Sequence, residues 1–220
     1  MFTAIAPTYD RLNRLISFRL DQGWRRHAVA QLGWERRPAG IYLDLCAGTL
    51  DFAATLARRP GFRGRIAGAD FAQTMLEHGR KKSHRVDPVT ADALELPFPD
   101  RAFDGGMIGW GVRNLVDLDG GLAEAARVLK PGAKVVILEM AVPEQPLLRA
   151  GFQFYFQRIM PWIGRSVSKH TTAYSWLPES SRVFPAPAEL ARRMEAQGFA
   201  SVRYELFMGG VCALHVGTKT

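Results

Sequence analysis

The sequence holds only two cysteines in 220 residues, Cys46 and Cys212, and neither has metal-ligand spacing. Two thiols do not make a disulfide framework, which excludes a small stapled secreted fold and leads us to expect a reducing, cytoplasmic compartment. No apolar run approaches the roughly 20 residues that span a bilayer. The opening stretch "MFTAIAPTYDRLNRL" lacks the basic-then-apolar layout of a secretion signal. The five histidines, His27, His78, His84, His170 and His215, are scattered, so no metal site is expected. Also missing are the G-x-x-x-x-G-K-[ST] phosphate loop and the G-x-G-x-x-G turn of dinucleotide enzymes. There is no internal repeat and no low-complexity tract.

Acidic residues are outnumbered, 21 against 29 Lys and Arg, for a formal net charge of +8. A basic chain is drawn to nucleic acid or to an anionic membrane, where each basic side chain near the surface contributes about 1 kcal/mol. The charges are spread along the chain apart from short clusters such as Arg25-Arg26 and Arg80-Lys81-Lys82. They form no basic stripe interleaved with aromatics, so nucleic acid is not an expected partner.

With 47% hydrophobic and 23% charged residues, the chain suits one globular domain with a real core. Short apolar runs alternate with helical patterns, the mark of βαβ units around a mostly parallel sheet. "IYLDL", "GRIAGAD", "VDPVTAD", "FDGGMIGWGV" and "AKVVILEM" read as strands, the last near-continuously apolar as a central parallel strand should be. Helices are expected over "DFAATLARR", "AQTMLEHGRKK" and "DLDGGLAEAARVLKPG". In the third, Lys130 falls in the last turn and Pro131-Gly132 ends it. "PAPAELARRMEAQGF" is a further helix, and "SVRYELFM" and "VCALHVGTK" form a hairpin across Gly209-Gly210. The expected fold is therefore α/β, a Rossmann-like, mostly parallel seven-stranded sheet with a C-terminal antiparallel hairpin and an inserted helical lid. Its parts are an N-terminal helical cap (1–37), a core (41–140), the lid (143–182) and the terminal helix and hairpin (185–220).

Ligands of open parallel sheets sit beyond the carboxyl ends of the strands. The stretch "YLDLCAGTLDFA" crosses such an end, and Asp44, Ala47 and Gly48 let backbone and carboxylate approach a ligand. Asp70 ends the second strand 22 positions after Gly48, the offset at which a carboxylate accepts ribose hydroxyls. Phe71 follows it. Asp92 follows the third strand and can accept from an adenine amine. Each of these acids also has a plain capping role open to it. Three acids at successive strand ends, with no phosphate fingerprint, fit S-adenosylmethionine: a methionine, a ribose and an adenine without phosphate.

The chain resembles the ubiquinone/menaquinone biosynthesis C-methyltransferase family nearly end to end. The resemblance is carried by "IAPTYDRLNRLISFRLDQGWRR", "LDLCAGTLDFA", "ADALELPFPDRAFDGG", "GWGVRNLVDLDGGLAEAARVLKPG", "YSWLPES" and "GGVCALHVGTK". It implies a methyltransferase that converts S-adenosylmethionine to S-adenosylhomocysteine while methylating a ring carbon of a lipophilic polyprenyl benzoquinol or naphthoquinol. By motif, Thr49, Asp70, Asp92 and Ala93 would contact the cofactor. Gly109 stands where some members have a serine contact. Leu50 stands where the family has glycine, and we expect it to point into the sheet–helix interface. Arg113 and Asn114 would be catalytic, Arg113 stabilising a phenolate by charge and Asn114 orienting a hydroxyl or water, since arginine is a poor literal base. Tyr9, Asn13 and Tyr174 are candidate substrate contacts.

Leu148, Phe152, Tyr155, Phe156, Ile159 and Ile163 share a helical face in the inserted segment. With Arg149, Arg158, Arg165 and Lys169 at its rim, the segment is expected to line a channel for the polyprenyl tail and to meet the inner face of an anionic cytoplasmic membrane peripherally. Two other readings stay open: methylation of another lipophilic phenol, and a non-catalytic scaffold subunit, which Leu50 and Gly109 keep alive. The oligomer is left open too, a homodimer included.

Overall fold

The computed structural model describes residues 10–11, 13–160 and 184–220. An N-terminal helix α1 (Leu20–Gln31) leads into strand β1 (Ile41–Leu45). There follow α2 (Asp51–Ala57), β2 (Arg65–Asp70), α3 (Gln73–Gly79), β3 (Val86–Thr90) and β4 (Phe103–Gly109). Then come α4 (Leu118–Val128), β5 (Leu129–Met140), α5 (Pro146–Phe154), α6 (Pro187–Ala196), β6 (Phe199–Phe207) and β7 (Cys212–Lys219).

The strands form one seven-stranded sheet in the order β3-β2-β1-β4-β5-β7-β6. β1 to β5 pair in parallel, and β7 runs antiparallel between β5 and β6. The chain winds outward from β1 to β3, then returns to lay β4 on the other side of β1. Such a reversal opens a crevice at the carboxyl ends of the two strands, where ligands of doubly wound sheets bind.

Alternation along the strands divides the core into two layers. Tyr42, Met107, Val136 and Leu138 pack with Ala28, Phe52, Leu56 and Leu76 from α1, α2 and α3. Leu43, Leu45, Ile108, Val135 and Ile137 pack with Leu122, Ala125, Leu190 and Met194 from α4 and α6. Each fully buried side chain of this kind contributes about 1.5–3 kcal/mol, so the strands are pinned in register from both faces. The terminal hairpin turns through Gly209 and Gly210, whose φ values of 66° and 104° suit glycine.

One boundary differs from the sequence reading. Helix α4 ends at Val128, and Lys130 and Pro131-Gly132 belong to β5. Leu129 is already extended and buried, paired with Phe103 across the sheet. Its burial ends the helix before the proline can. Lys130 bonds Asp104 at 2.7 Å instead of meeting the helix dipole, and Arg127 is the cation of the last turn. The fourth strand is also shorter than read: it stops at Gly109, and Val112–Asn114 form a 3-10 turn.

Candidate functional site

The loop after β1 is built from residues held in an uncommon backbone conformation. Cys46, Gly48 and Leu50 have φ of 55°, 51° and 63°, and Trp110, beyond β4, has 54°. A non-glycine residue in the left-handed region costs about 1–2 kcal/mol, and such strain gathers at ligand sites. The two loops touch, because a β-carbon on Gly111 would lie 2.2 Å from that of Cys46. Leu50 is buried in the layer beneath α2 and α3, as expected, and does not face the crevice. At Gly109 a β-carbon would come 2.8 Å from Cδ1 of Phe52, so this ring holds the space a serine would need.

Two cavities open here. The cleft on the β2 and β3 side, about 330 Å³, is lined by Gly48, Asp70, Phe71, Asp92, Ala93 and Asn114 among others. The larger cavity, about 450 Å³, lies under α1 and α5 and includes Asn13, Asp44, Ala47, Gly48, Thr49 and Arg113. Cys46, Gly48, Gly109 and Trp110 line both and form a shared wall. The candidate cofactor residues thus gather around this wall. Of the expected catalytic pair, Arg113 faces the larger cavity and Asn114 the cleft. Asn13 reaches the larger cavity; Tyr9 and Tyr174 lie outside the described residues.

The carboxylates are held for ligand contact. Asp70 accepts from the backbone N–H of Gly48 and of Ala72, each at 2.8 Å, which fixes its plane at the cleft. Burial raises its pKa against those two bonds. Asp92 accepts from the Leu94 N–H at 2.9 Å. Phe71 stands 67% exposed beside Asp70, an aromatic face for an adenine. Asp44 accepts from Ala53 N–H at 2.8 Å through Oδ2, while its buried Oδ1 has no hydrogen-bond partner. Burial pushes its pKa up to about 8. An orphaned buried acceptor is costly by itself, and a methionine ammonium would satisfy it. These residues fit S-adenosylmethionine: Asp70, Phe71 and Asp92 would hold its adenosine and Asp44 its methionine ammonium.

Thr49 is buried and donates to Asp10 at 2.5 Å. Lys82 bonds the same carboxylate at 2.6 Å and pairs with Asp51. Burial would raise the Asp10 pKa, but the bonds from Lys82 and Thr49 outweigh it and hold it below its usual value. This network ties the N-terminal segment to the cofactor loop.

Two arginine–carboxylate pairs face the larger cavity. Arg113 pairs through Nη1 with Glu139, which is 1% exposed at the end of β5. Arg25 pairs with the buried Asp21, and its guanidinium lies 4.6 Å from the centre of the Trp110 ring. Such stacking strengthens when desolvated. The roof is α5 and the π-helical turn Tyr155–Ile159 that continues it: Leu147, Leu148, Phe152 and Tyr155 line the cavity, and the Tyr155 hydroxyl donates to the Ile16 carbonyl at 2.8 Å. Leu148, Phe152 and Tyr155 were read from helical spacing. Ile163, Arg165 and Lys169 lie outside the described residues.

Glu139, Asp21 and Trp110 were not singled out in the sequence, and Arg25 and Cys46 were noted there only in a basic cluster and as one of two cysteines. A signal existed for Glu139, a lone acid inside the apolar run "VVILEM", and for Asp21 and Arg25, an acid and a base at helical i,i+4 spacing. Trp110 and Cys46 meet only through the sheet topology.

Comparison with known proteins shows the family and the fold. A model of the ubiE/COQ5 methyltransferase family matches residues 1–219. A demethylmenaquinone methyltransferase of Thermus thermophilus is 47% identical over 224 residues, covering 100% of both chains. One from Lysinibacillus sphaericus is 40% identical over 222 residues, covering 100% of this chain and 94% of that one. Among solved structures, a SAM-dependent methyltransferase of Thermotoga maritima superposes with a TM-score of 0.65 at 19% identity, covering 100% of each chain. At that identity the likeness speaks for the fold.

Proposed function

The chain belongs to the ubiE/COQ5 methyltransferase family, and from that premise we propose that it methylates a ring carbon of a polyprenyl naphthoquinol in menaquinone biosynthesis. The relatives named above support the naphthoquinol over the benzoquinol. The observation that carries the reading is the pair of cavities sharing one wall, with an arginine in the larger, mostly apolar one.

S-adenosylmethionine supplies an electrophilic sulfonium methyl when bound. The residues of this chain do the rest. The wall of Cys46, Gly48, Gly109 and Trp110 sets the approach of ring and methyl, which must come within about 3–3.5 Å in line. Arg113 stabilises the quinol oxygen as its proton leaves, so the adjacent ring carbon becomes nucleophilic. Methyl transfer would form one C–C bond and break one C–S bond, and the methylated ring carbon would pass its proton to water to restore the aromatic ring. Asn114, on the cleft side of the same turn, orients a hydroxyl or water. The roof of α5 and the N-terminal segment excludes water from the cavity.

The cavity mouth supports peripheral contact with an anionic membrane. Phe18, Leu147 and Met208 line the cavity and are 71%, 85% and 58% exposed. The exposed Arg14, Arg19 and Arg158 belong to the segments that carry this apolar rim. Arg149 donates to the Pro143 carbonyl at 2.9 Å and stays exposed. No helix among the described residues is long and apolar enough to cross a membrane, so the rim would dip into the surface only.

Calorimetric titration with S-adenosylmethionine, followed by methyl-transfer assays on reduced naphthoquinol, benzoquinol and a simple phenol, tests the proposal. We expect micromolar cofactor binding, S-adenosylhomocysteine release and preference for naphthoquinol. Binding with turnover only on another phenol would overturn the substrate assignment. Co-sedimentation with vesicles that ignores anionic lipid would remove the membrane contact.

A further inference from the structure

We propose that Glu139 is the positioning residue that aims Arg113 at the substrate; this rests on the reading of Arg113 as the group that stabilises the quinol oxygen. Glu139 is the one acid of β5 and closes its apolar run Val135–Leu138, with Leu138 before it and Ala213 opposite in the register. It is completely enclosed, yet each of its oxygens has a donor. Oε1 accepts from Arg113 Nη1 and, at 2.8 Å, from the Met140 N–H; Oε2 meets the Arg113 backbone N–H at 3.4 Å. One carboxylate therefore grips both ends of the same residue and fixes the 3-10 turn Val112–Asn114 that carries it. Glu139 itself does not line the cavity, whereas Arg113 does. It acts on substrate only through the guanidinium.

Stability alone does not account for the pair. Desolvating both charges offsets most of their attraction, and well-packed apolar replacements are often as stable or more so. A second mark of a constrained group is the buried Nε of Arg113, which has no hydrogen-bond partner. A free arginine would turn to satisfy it. Here the grip of Glu139 holds the fork in one orientation, leaving the remaining Nη donors for the cavity.

The pair also sets the charge of the site. With Glu139 ionised, Arg113 is compensated from behind, so the cavity presents an aimed donor with a reduced net field. Glu139→Gln preserves shape and one acceptor but removes that compensation. Among the described residues, the other titratable groups near this end of β5 are the thiols of Cys46 and Cys212, the carboxyl of Asp44 and, opposite Ile137 on β7, His215, whose pKa burial pulls below its usual value. Burial pushes both thiols far up, and nearby carboxylates push further, so neither ionises in a working pH range. Asp44, pushed up to about 8, does titrate there and must be separated from the effect.

The test is a pH profile of kcat for the full-length protein on reduced naphthoquinol, in the wild type, Glu139→Gln, Arg113→Ala and the double variant. Glu139→Gln should lower kcat at the optimum by about tenfold, the scale of a misaimed charge stabiliser. It should leave calorimetric S-adenosylmethionine affinity within about threefold, since the wall is untouched. Its acid limb should move to lower pH, because an uncompensated guanidinium eases quinol deprotonation. In the Arg113→Ala background the same substitution should move nothing; an Asp44 limb would persist in both. A loss of kcat with an unmoved limb, or an equal shift without Arg113, overturns the proposal. If Glu139→Gln does not fold, NMR of the wild-type Arg113 guanidinium decides: hindered rotation about Nε–Cζ supports the grip, free rotation overturns it. Wild-type protein that binds cofactor but leaves every quinol unmethylated would instead sink the functional reading, whatever the variants do.

Discussion

Leu50 lies against the bare backbone of Gly68: a β-carbon on that glycine would come 2.3 Å from Leu50 Cδ2. Gly79 of α3 is opened toward Leu50 in the same way, its β-carbon position 2.9 Å from Leu50 Cγ. The side chain fills a notch left by two glycines. Restoring glycine at position 50 would relieve about 1–2 kcal/mol of left-handed backbone strain. It would also empty a site where large-to-small changes cost about 2–5 kcal/mol. Leu50→Gly should therefore lower stability by a net 1–3 kcal/mol or so in urea unfolding, with cofactor affinity within a few-fold of wild type. A large gain in affinity would mean that Leu50 obstructs the cofactor after all.

The Asp44 carboxyl predicts a pH-dependent cofactor affinity. Its pKa in the free protein is pushed up to about 8 by burial, so much of it is protonated at neutral pH. A bound ammonium favours the carboxylate and must displace that proton. Affinity should rise as pH climbs toward about 8 and fall beyond it, where the ligand ammonium loses its own proton, and Asp44→Asn should remove the rising limb. For stability the sign is opposite. A carboxyl whose folded pKa is raised above its unfolded value favours the fold below the unfolded pKa, and loses that advantage as pH rises through the folded one. The ligand-free Asp44→Asn protein should thus melt higher than wild type on the alkaline side. Calorimetry and thermal melts across pH check both.

At Gly109, the Phe52 ring predicts overpacking. Gly109→Ser should destabilise by about 1–3 kcal/mol, the usual cost of forcing atoms into a filled core. Combining it with Phe52→Leu should recover part of that loss. If the serine variant melts like wild type, the ring is free to move aside.

Removing Arg113 alone strands a buried charge. Arg113→Ala should cost about 3–5 kcal/mol of stability, and adding Glu139→Gln should return a good part of it. Turnover should stay low in both, far below what any change in cofactor binding explains. Denaturant midpoints and single-turnover rates separate the two effects; equal losses of turnover and affinity would count against Arg113 as the charge stabiliser.

Much of the fold was legible because period-2 and period-3.6 patterns rarely overlap in this chain. "IYLDL" and "GRIAGAD" carry strand signals with a turn at each end, and β1 and β2 form there. The reading failed at Lys130, where α4 and β5 abut with no spacer residue to mark the change. That Asp44, Asp70 and Asp92 line the two cavities was legible because strand ends and crevices coincide in such sheets. Glu139 and Arg25 were not. Their importance lies in the groups the fold sets beside them, and periodicity along one element carries no information about a neighbour 26 residues away, the separation of Arg113 from Glu139.

The wall shared by the two cavities has an evolutionary consequence. Cys46, Gly48, Gly109 and Trp110 face both compartments, so a change in any of them alters donor and acceptor together. Divergence toward new acceptors is thereby channelled elsewhere, to α1 and α5, which meet only the larger compartment. The architecture separates a wall whose changes reach both compartments from a roof whose changes reach only one.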